Sequence, residues 1–248
     1  MENLTVTTLA ERPELRSALW EMPHSWPAFM DHDLVANALV GLIAEEFPEH
    51  VVVATDADGV LVARGHSVPF SFAKRQGRLP DRGWDEVLLW AVTDRRYGET
   101  PDTVSAIEIA VHPELQGRGL SGLMLGAMRD AARERGFAEV VAPVRPSGKH
   151  LEPEASMQEY AFRVREQGGL PYDPWLRVHV RAGATIEKVA PASMTISGSP
   201  AQWREWTGLP FDATGEVLVP GALAPVRCDL AGGYAVYVEP TVWVRHGL

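Results

Sequence analysis

Glycines recur in the stretch of residues 107–122, IEIAVHPELQGRGLSG, at a spacing that suits anion binding. An apolar strand is predicted before this stretch, and an amphipathic helix over residues 120–135 after it. Gly117 and Gly119 have no side chains to shield the backbone N–H groups, which form a small cradle with the helix N-terminus. Arg118 can add a charge-assisted hydrogen bond to a phosphate. The pattern predicts a phosphate-binding loop; the alternative is a glycine-containing helix start without a ligand.

Residues 117–122 also spell G-x-G-x-x-G, the pattern of dinucleotide-binding loops. In such loops the glycines follow the strand directly, whereas residues 112–116 intervene here. An acidic residue is expected about 20 residues further on, but the next predicted strand ends in Val144 and Arg145. The later chain also lacks a series of βαβ units. These observations weaken the dinucleotide alternative, although Arg145 would suit a 2′-phosphate.

The composition limits the classes of function. The chain has 248 residues, a net charge of −10 and one cysteine, Cys228. The acidic balance gives little support for nucleic-acid binding, which normally needs a basic surface. A single cysteine excludes internal disulfides and thiolate zinc clusters, and we expect no metal. No apolar run is long enough to span a membrane, and the N-terminus lacks signal-peptide features, so we expect a cytoplasmic protein.

Strands and helices alternate along the chain, which predicts a single α/β domain over residues 1–248. Residues 70–103 are interpreted as an irregular insertion between strands, and residues 197–248 as a C-terminal elaboration. The predicted strands are residues 3–9, 51–55, 60–67, 104–111, 139–144, 185–196, 216–219 and 234–244. The predicted helices are residues 13–22, 34–47, 120–135, 157–165, 173–181 and 200–206.

The glycine loop resembles motif A of the GNAT acetyltransferases, in the pattern Val111-x-Pro113-x-x-Gln116-x-x-Gly119-x-Ser121. Ser121 stands where that family usually has Gly or Ala. Residues 177–184 resemble the second GNAT landmark, a helix that ends in a Gly-aromatic pair, with alanine in place of the aromatic residue. The resemblance implies a GNAT fold of the α+β type: a mixed, mostly antiparallel sheet, splayed at its centre, with helices on both faces.

The resemblance further implies that the loop holds the pyrophosphate of coenzyme A by its backbone N–H groups. Ile109 and Val111, on the preceding strand, would lie beside the pantetheine arm and the thioester. A backbone N–H near Val111 would then stabilise the developing oxyanion. The alternative for both side chains is plain core packing. The loop residues concerned are Gln116, Gly117, Arg118, Gly119, Leu120 and Ser121.

Glu108 is the first candidate for the general base that takes a proton from an attacking amine. Strand alternation places its side chain on the face of the sheet opposite to that of Ile107 and Ile109. Partial burial would raise the pKa of its carboxyl group toward a useful value. The alternatives are an exposed strand acid, or His112 at the strand end as the base.

His179 is the candidate proton donor for the departing thiolate. Many GNAT enzymes use a tyrosine four residues before the helix-ending glycine, and counting back from Gly183 gives His179. A histidine can donate a proton near neutral pH. The alternative is a polar surface histidine.

The acceptor pocket is expected from the loop at residues 22–33, between the first two helices. Trp26 and Phe29 would form an aromatic wall, and Asp31 or Asp33 would meet a cationic amine. The alternative is a loop anchored to the core by its aromatic side chains.

The sequence therefore predicts transfer of an acyl group from acetyl-CoA, or another acyl-CoA, to the amine of a small molecule in a ternary complex. Cys228 has no matched base, which disfavours an acyl-cysteine mechanism. Two alternatives stay open: a non-catalytic CoA-binding module, and a GNAT-fold transferase that uses aminoacyl-tRNA. The sequence decides neither the acceptor nor the oligomeric state, and a homodimer is compatible with it.

Overall fold

The computed structural model describes residues 4–248, so Asn3 of the predicted first strand lies outside the described residues. The strands are β1 (Thr5–Thr8), β2 (Val51–Thr55), β3 (Leu61–Phe70), β4 (Thr103–Val111), β5 (Glu139–Val144), β6 (Thr185–Gly198), β7 (Gly215–Val217), β8 (Val226–Asp229) and β9 (Tyr234–Gly247). The helices are α1 (Ala18–Glu21), α2 (Leu34–Glu46), α3 (Gly83–Tyr97), α4 (Leu120–Glu134), α5 (Met157–Ala161), α6 (Pro174–Arg181) and α7 (Pro200–Thr207), with short 3-10 turns between them.

One mixed sheet joins all of these strands in the order β1-β2-β3-β4-β5-β9-β8-β7, and β6 also pairs with β9. Neighbouring strands are antiparallel except for the parallel pair β4–β5. Buried apolar side chains form two clusters, one on each face of the sheet. Helices α2, α3 and α7 contribute to one cluster, and α4, α5 and α6 to the other. The fold is therefore the open, mostly antiparallel sheet with helices on both faces that the sequence predicts.

The sheet opens at its centre, between β4 and β5. These strands pair only at Val104 with Val140 and at Ser105 with Val141. Beyond these two pairs the strands separate, and the backbone of β4 faces a gap. On its other edge β5 pairs along its whole length with β9, so the last strand of the chain completes the centre of the sheet.

A β-bulge interrupts β4 just before Glu108. His66 pairs with Glu108 and the next residue, Ser67, pairs with Ala106, so Ile107 is the extra residue. Strict alternation predicts that Glu108 projects from the face of the sheet opposite to that of Ile107 and Ile109. That prediction is wrong for Ile107, which packs in the cluster on the face of α2 and α3. The bulge inserts one residue and so shifts the inward–outward alternation of the strand.

The predicted irregular insertion contains a 15-residue helix, α3. Its buried side chains, including Trp84, Val87 and Leu88, pack against the sheet. Gly98 ends it in the left-handed conformation, and Arg95 and Arg96 occupy its last turn. The apolar stretch within it was too short to indicate a helix by itself, and contact with the sheet supplies the remaining stabilisation.

Two predicted helix starts are confirmed at their caps. The Asp33 carboxylate accepts a hydrogen bond from the backbone N–H of Ala36 at the start of α2. The Asp173 carboxylate accepts from Trp175 and Leu176 at the start of α6, where Pro174 occupies the first turn. Among residues 4–248 no helix is long and apolar enough to cross a membrane.

Candidate active site

A large cavity of about 1110 Å³ follows the gap between β4 and β5. It runs from the glycine loop, between the separated strands, to the segment that connects α1 to α2. Both strands contribute to its walls, with residues 106–111 from β4 and residues 142–144 from β5. We call the part lined by this connecting segment and by Glu108 the chamber, and the cavity joins it to the glycine loop.

The glycine loop has the conformation that its sequence predicts. Gly117 and Gly119 have φ angles of 75° and 83°, in the left-handed region that favours glycine. A Cβ at either position would meet no atom within 4 Å, so open space lies beside the backbone. The Leu123 N–H closes the first turn of α4 onto the carbonyl of Gly119, which leaves the preceding N–H groups free at the helix N-terminus. This geometry fits a pyrophosphate.

Some residues of the loop line the cavity and others lie at the surface. Gln116, Gly117, Leu120 and Ser121 line the cavity, whereas Arg118 and Gly119 lie on the exposed outer side of the loop. The Gln116 Nε2 donates a hydrogen bond to Ser25 Oγ at 3.0 Å. This contact ties the loop to the segment that roofs the chamber.

Ile109 and Val111 both line the cavity, on the stretch of β4 that no longer pairs with β5. Their side chains also pack against the apolar cluster on the face of α4. Core packing and a backbone role beside a thioester are therefore compatible, because a pantetheine arm would contact the main chain.

Glu108 lies at the centre of a hydrogen-bond network on the chamber wall. Its Oε1 accepts from Trp26 Nε1 at 3.1 Å and from Arg64 Nη2 at 3.2 Å. Its Oε2 accepts from Arg64 Nε at 3.1 Å and contacts His66 Nδ1 at 2.9 Å. Arg64 also donates to the carbonyl of Leu19, which ties the network to α1.

The expected rise in the pKa of Glu108 is wrong in direction. Burial by itself would raise it, but the hydrogen bond with His66 and the guanidinium of Arg64 outweigh burial and hold the pKa well below its ordinary value. Glu108 is therefore a carboxylate at any pH near neutral. A carboxylate that binds its proton so weakly is a poor acceptor for the proton of an amine.

His66 is a site residue that the sequence analysis missed. It is fully buried, lines the cavity and is stacked on Trp20. Its Nε2 has no hydrogen-bond partner among the described residues. A histidine and a glutamate on different strands carry no spacing signal, because they are 42 positions apart and the whole insertion lies between them. Only the pairing of β3 with β4 brings them together.

His179 is buried on the wall of the cavity, on the inner face of α6. Its Nδ1 lies 2.9 Å from His246 Nε2, and its own Nε2 has no partner in the part of the chain described. Burial, with a smaller effect of His246, lowers the pKa of His179 to about 3. It is therefore a neutral imidazole that can present an N–H to the cavity, and not a solvated surface histidine.

Of the two residues predicted to form an aromatic wall, one lines the chamber and the other does not. Trp26 lines the chamber and donates to Glu108, as described above. The prediction for Phe29 is wrong: its ring packs edge-on against Tyr237 and tilted against Trp203 in the core. The segment of residues 22–33 therefore both roofs the chamber and is anchored by an aromatic side chain. Sequence spacing could not separate these roles, because both residues lie in an irregular segment.

The two acidic residues of this segment that were predicted to meet a cationic amine lie in different environments. Asp33 is fully buried and caps α2, so it does not meet a substrate. Asp31 is exposed at the cavity wall. Its side chain makes no hydrogen bond or ion pair to the described residues, and it is free to meet a cation.

Arg145 and Glu239 form a second ion pair on the chamber wall. Arg145 Nε contacts both carboxylate oxygens of the fully buried Glu239 at 3.0 Å. Its Nη2 donates to the carbonyl of Gly221, and its guanidinium lies 5.7 Å from the ring of Trp26. Its Nη1 has no partner among the described residues.

Comparison with known proteins agrees with this geometry. Residues 12–151 match the model of the Acetyltransferase (GNAT) family. The match covers more than half of the chain, and the chain belongs to the GNAT acetyltransferases, enzymes of the acyltransferase class. The mostly antiparallel sheet also removes the dinucleotide-binding alternative, which requires a parallel, doubly wound sheet.

Individual relatives cover nearly the whole chain. The arginine N-acetyltransferase avaD of Aspergillus versicolor is 29% identical over 272 residues, which span 98% of this chain and 93% of avaD. The loading GNATL domain of CurA from Lyngbya majuscula superimposes with a TM-score of 0.63 at 20% identity, covering 99% and 96% of the two chains. The GphF GNAT-like decarboxylase, in complex with isobutyryl-CoA, gives 0.58 at 17% identity and 99% of both chains. At these identities the two solved structures show the fold alone.

Proposed function

We propose that this enzyme transfers the acetyl group of acetyl-CoA to an amine of arginine or of a closely related guanidino amino acid. The observation that carries the proposal is the single cavity that joins the glycine loop to the chamber under Trp26. The arginine N-acetyltransferase that matches over nearly the whole chain supports the choice of acceptor.

The loop of residues 116–121 would hold the pyrophosphate of coenzyme A, which supplies the thioester carbonyl that the amine attacks. The open space beside Gly117 and Gly119 and the free N–H groups of α4 support this assignment. Ile109 and Val111 would present unpaired backbone to the pantetheine arm, because β5 has separated from β4 there. His179 would direct its Nε2–H at the departing sulfur and stabilise the thiolate by a hydrogen bond.

The chamber offers two groups that suit the ends of arginine. The free carboxylate of Asp31 would pair with the guanidinium, and the spare Nη1 of Arg145 would pair with the α-carboxylate. Trp26 would supply a flat aromatic surface between them. Agmatine lacks the α-carboxylate, so we expect it to be a poorer acceptor than arginine.

The test is thiol release from acetyl-CoA with arginine, agmatine, lysine and ornithine, with the acetylated nitrogen identified by mass spectrometry. We expect the highest kcat/KM with arginine. Asp31→Asn should raise the KM for arginine about tenfold, the equivalent of one charge-assisted hydrogen bond of about 1.4 kcal/mol. Asp58→Asn, in the exposed turn between β2 and β3, is the matched control.

A thermal-shift measurement tests the identity of the acyl donor independently of the acceptor. Acetyl-CoA should raise the Tm and NAD(P) should not, because a ligand that binds only the native state stabilises it. Stabilisation by NAD(P) alone, or no thiol release with any of the four amines, would contradict the proposal.

A further inference from the structure

The structure assigns the general base of the reaction to His66, with Glu108 as the residue that orients it. This inference rests on the proposed function, because it names the group that takes the proton of the acceptor amine. Carboxylate–histidine pairs of this type fix the imidazole tautomer and place its other nitrogen toward the reacting group.

Strand geometry brings the two side chains together. Arg64 and His66 are two residues apart on β3 and therefore project from the same face of the sheet. The bulge at Ile107 sets Glu108 directly opposite His66, so both β3 side chains reach the one carboxylate. Without the extra residue, Glu108 would project from the other face.

The carboxylate has no capacity left for a substrate proton. Its two oxygens accept from Trp26, from two nitrogens of Arg64 and from His66, which fills the lone pairs of an ionised carboxylate. Attack on such a saturated group would require breaking a charged hydrogen bond. The unsatisfied atom in the network is instead on the histidine.

His66 Nε2 is buried, without a partner in the described chain, and belongs to a residue that lines the cavity. In the neutral imidazole, donation from Nδ1–H to Glu108 at 2.9 Å leaves Nε2 with a lone pair and no proton. The ring is held in place by Trp20, whose plane lies within 12° of that of His66 at a centroid distance of 6.0 Å. A buried acceptor atom without a donor is costly, and an amine N–H in the chamber would satisfy it.

The proton inventory of the step is balanced. The amine nitrogen forms a bond to the thioester carbonyl carbon, and the carbon–sulfur bond breaks with its electron pair leaving on sulfur. The nitrogen loses one proton to His66 Nε2, and the imidazolium is stabilised by the Glu108 carboxylate. The sulfur leaves as a thiolate that accepts a hydrogen bond from the Nε2–H of the neutral His179. The thiolate takes its proton from water and His66 returns one to water, so no further co-reactant is needed.

The kinetic test uses His66→Gln and His66→Ala. We expect kcat to fall about 10²- to 10⁴-fold, the usual contribution of a general base, with the KM for acetyl-CoA unchanged. Added imidazole should restore part of the activity of the alanine variant and none of that of the glutamine variant. His32→Gln, at a histidine stacked on Trp206 outside the cavity, is the matched control.

The pH profile supplies a readout that a structural role would not move. The titratable and charged groups that face His66 are Arg64 on its own strand and Glu108 on β4, while Trp20 of α1 covers its ring. The acidic limb of the wild-type profile of kcat/KM against pH should be absent from the profile of His66→Gln. An unchanged pH profile in the variant would overturn the inference.

A spectroscopic test does not depend on activity. Nitrogen-15 NMR of histidine-labelled wild-type protein at pH 8 should show His66 with a protonated Nδ1 and a bare Nε2, its signals identified by their loss in His66→Gln. The reverse tautomer would overturn the assignment, even if acetyl transfer were found. If no amine is acetylated but the expected tautomer is present, the proposed function fails while the geometry of the pair stands.

Discussion

His179 Nδ1 and His246 Nε2 lie 2.9 Å apart in the interior and join α6 to the last strand of the sheet. Burial holds both rings neutral, because it lowers the pKa of His179 to about 3 and that of His246 to about 4. Two neutral imidazoles can share this hydrogen bond only if one donates and the other accepts. When His246 donates from Nε2, His179 carries its own proton on Nε2, toward the cavity.

Replacement of His246 by leucine should therefore impair catalysis through His179. The change leaves the buried Nδ1 of His179 without a partner, which costs about 1–3 kcal/mol of stability and releases the choice of tautomer. We expect a lower kcat with little change in the KM for acetyl-CoA. His50→Gln is the control, because His50 is also buried but lies outside the main cavity. If both variants lose stability and neither loses kcat, His246 is only structural.

Buried histidines should make the protein sensitive to mild acid. Burial lowers the pKa of His50 to about 4, as it does for the other two, from an ordinary value of 6.5. Unfolded histidines take up protons below about pH 6.5, whereas the folded ones stay neutral down to pH 4 or 3. The free energy of unfolding should thus be highest above about pH 6.5. Below that pH it should decrease by up to about 1.4 kcal/mol per pH unit for each histidine.

Urea unfolding at several pH values between 7.5 and 4.5 measures this slope. His50→Gln removes one of the three histidines, so its curve should fall less steeply than that of the wild type between pH 6.5 and 4.5. Parallel curves for the two proteins would show that His50 takes up its proton equally in the folded and unfolded states.

Substitution of Gly119 by alanine should weaken both acetyl-CoA binding and folding. Its φ of 83° is strained for any residue with a Cβ, at a cost of about 1–2 kcal/mol, although the space beside it is open. We expect the Kd for acetyl-CoA to rise about tenfold by calorimetry. Gly126→Ala, within α4 and at a negative φ, is the control and should bind acetyl-CoA like the wild type.

Phenylalanine at position 26 should keep the aromatic surface and remove one hydrogen bond. Trp26→Phe deletes the Nε1 donor to Glu108, a bond to a charged group worth about 1.5 kcal/mol. We expect kcat/KM for the acceptor to fall about tenfold, with the Kd for acetyl-CoA unchanged. Trp90→Phe, at a tryptophan under the Arg75 guanidinium away from the cavity, should leave both values unchanged.

Local features of the fold were predictable from the sequence. The positive φ of Gly117 and Gly119, the cap at Asp173, and the strand before the loop depend on neighbours within a few residues. Helix α3 was missed because its stabilisation comes from packing one face on the sheet. Phe29 was misplaced because an irregular segment has no periodicity to separate inward from outward side chains.

The sequence by itself determined the family and the loop, since motif A is a local pattern whose conformation follows from glycine positions. Tertiary structure decided the chemistry of the chamber. Glu108 meets Arg64, His66 and Trp26 over separations of 44, 42 and 82 residues, and the contacts with Arg64 and His66 reverse the expected shift of its pKa. The extra residue of the bulge, Ile107, determines the face of the sheet from which Glu108 projects. Strand register and burial are properties of the assembled sheet, and no local spacing encodes them.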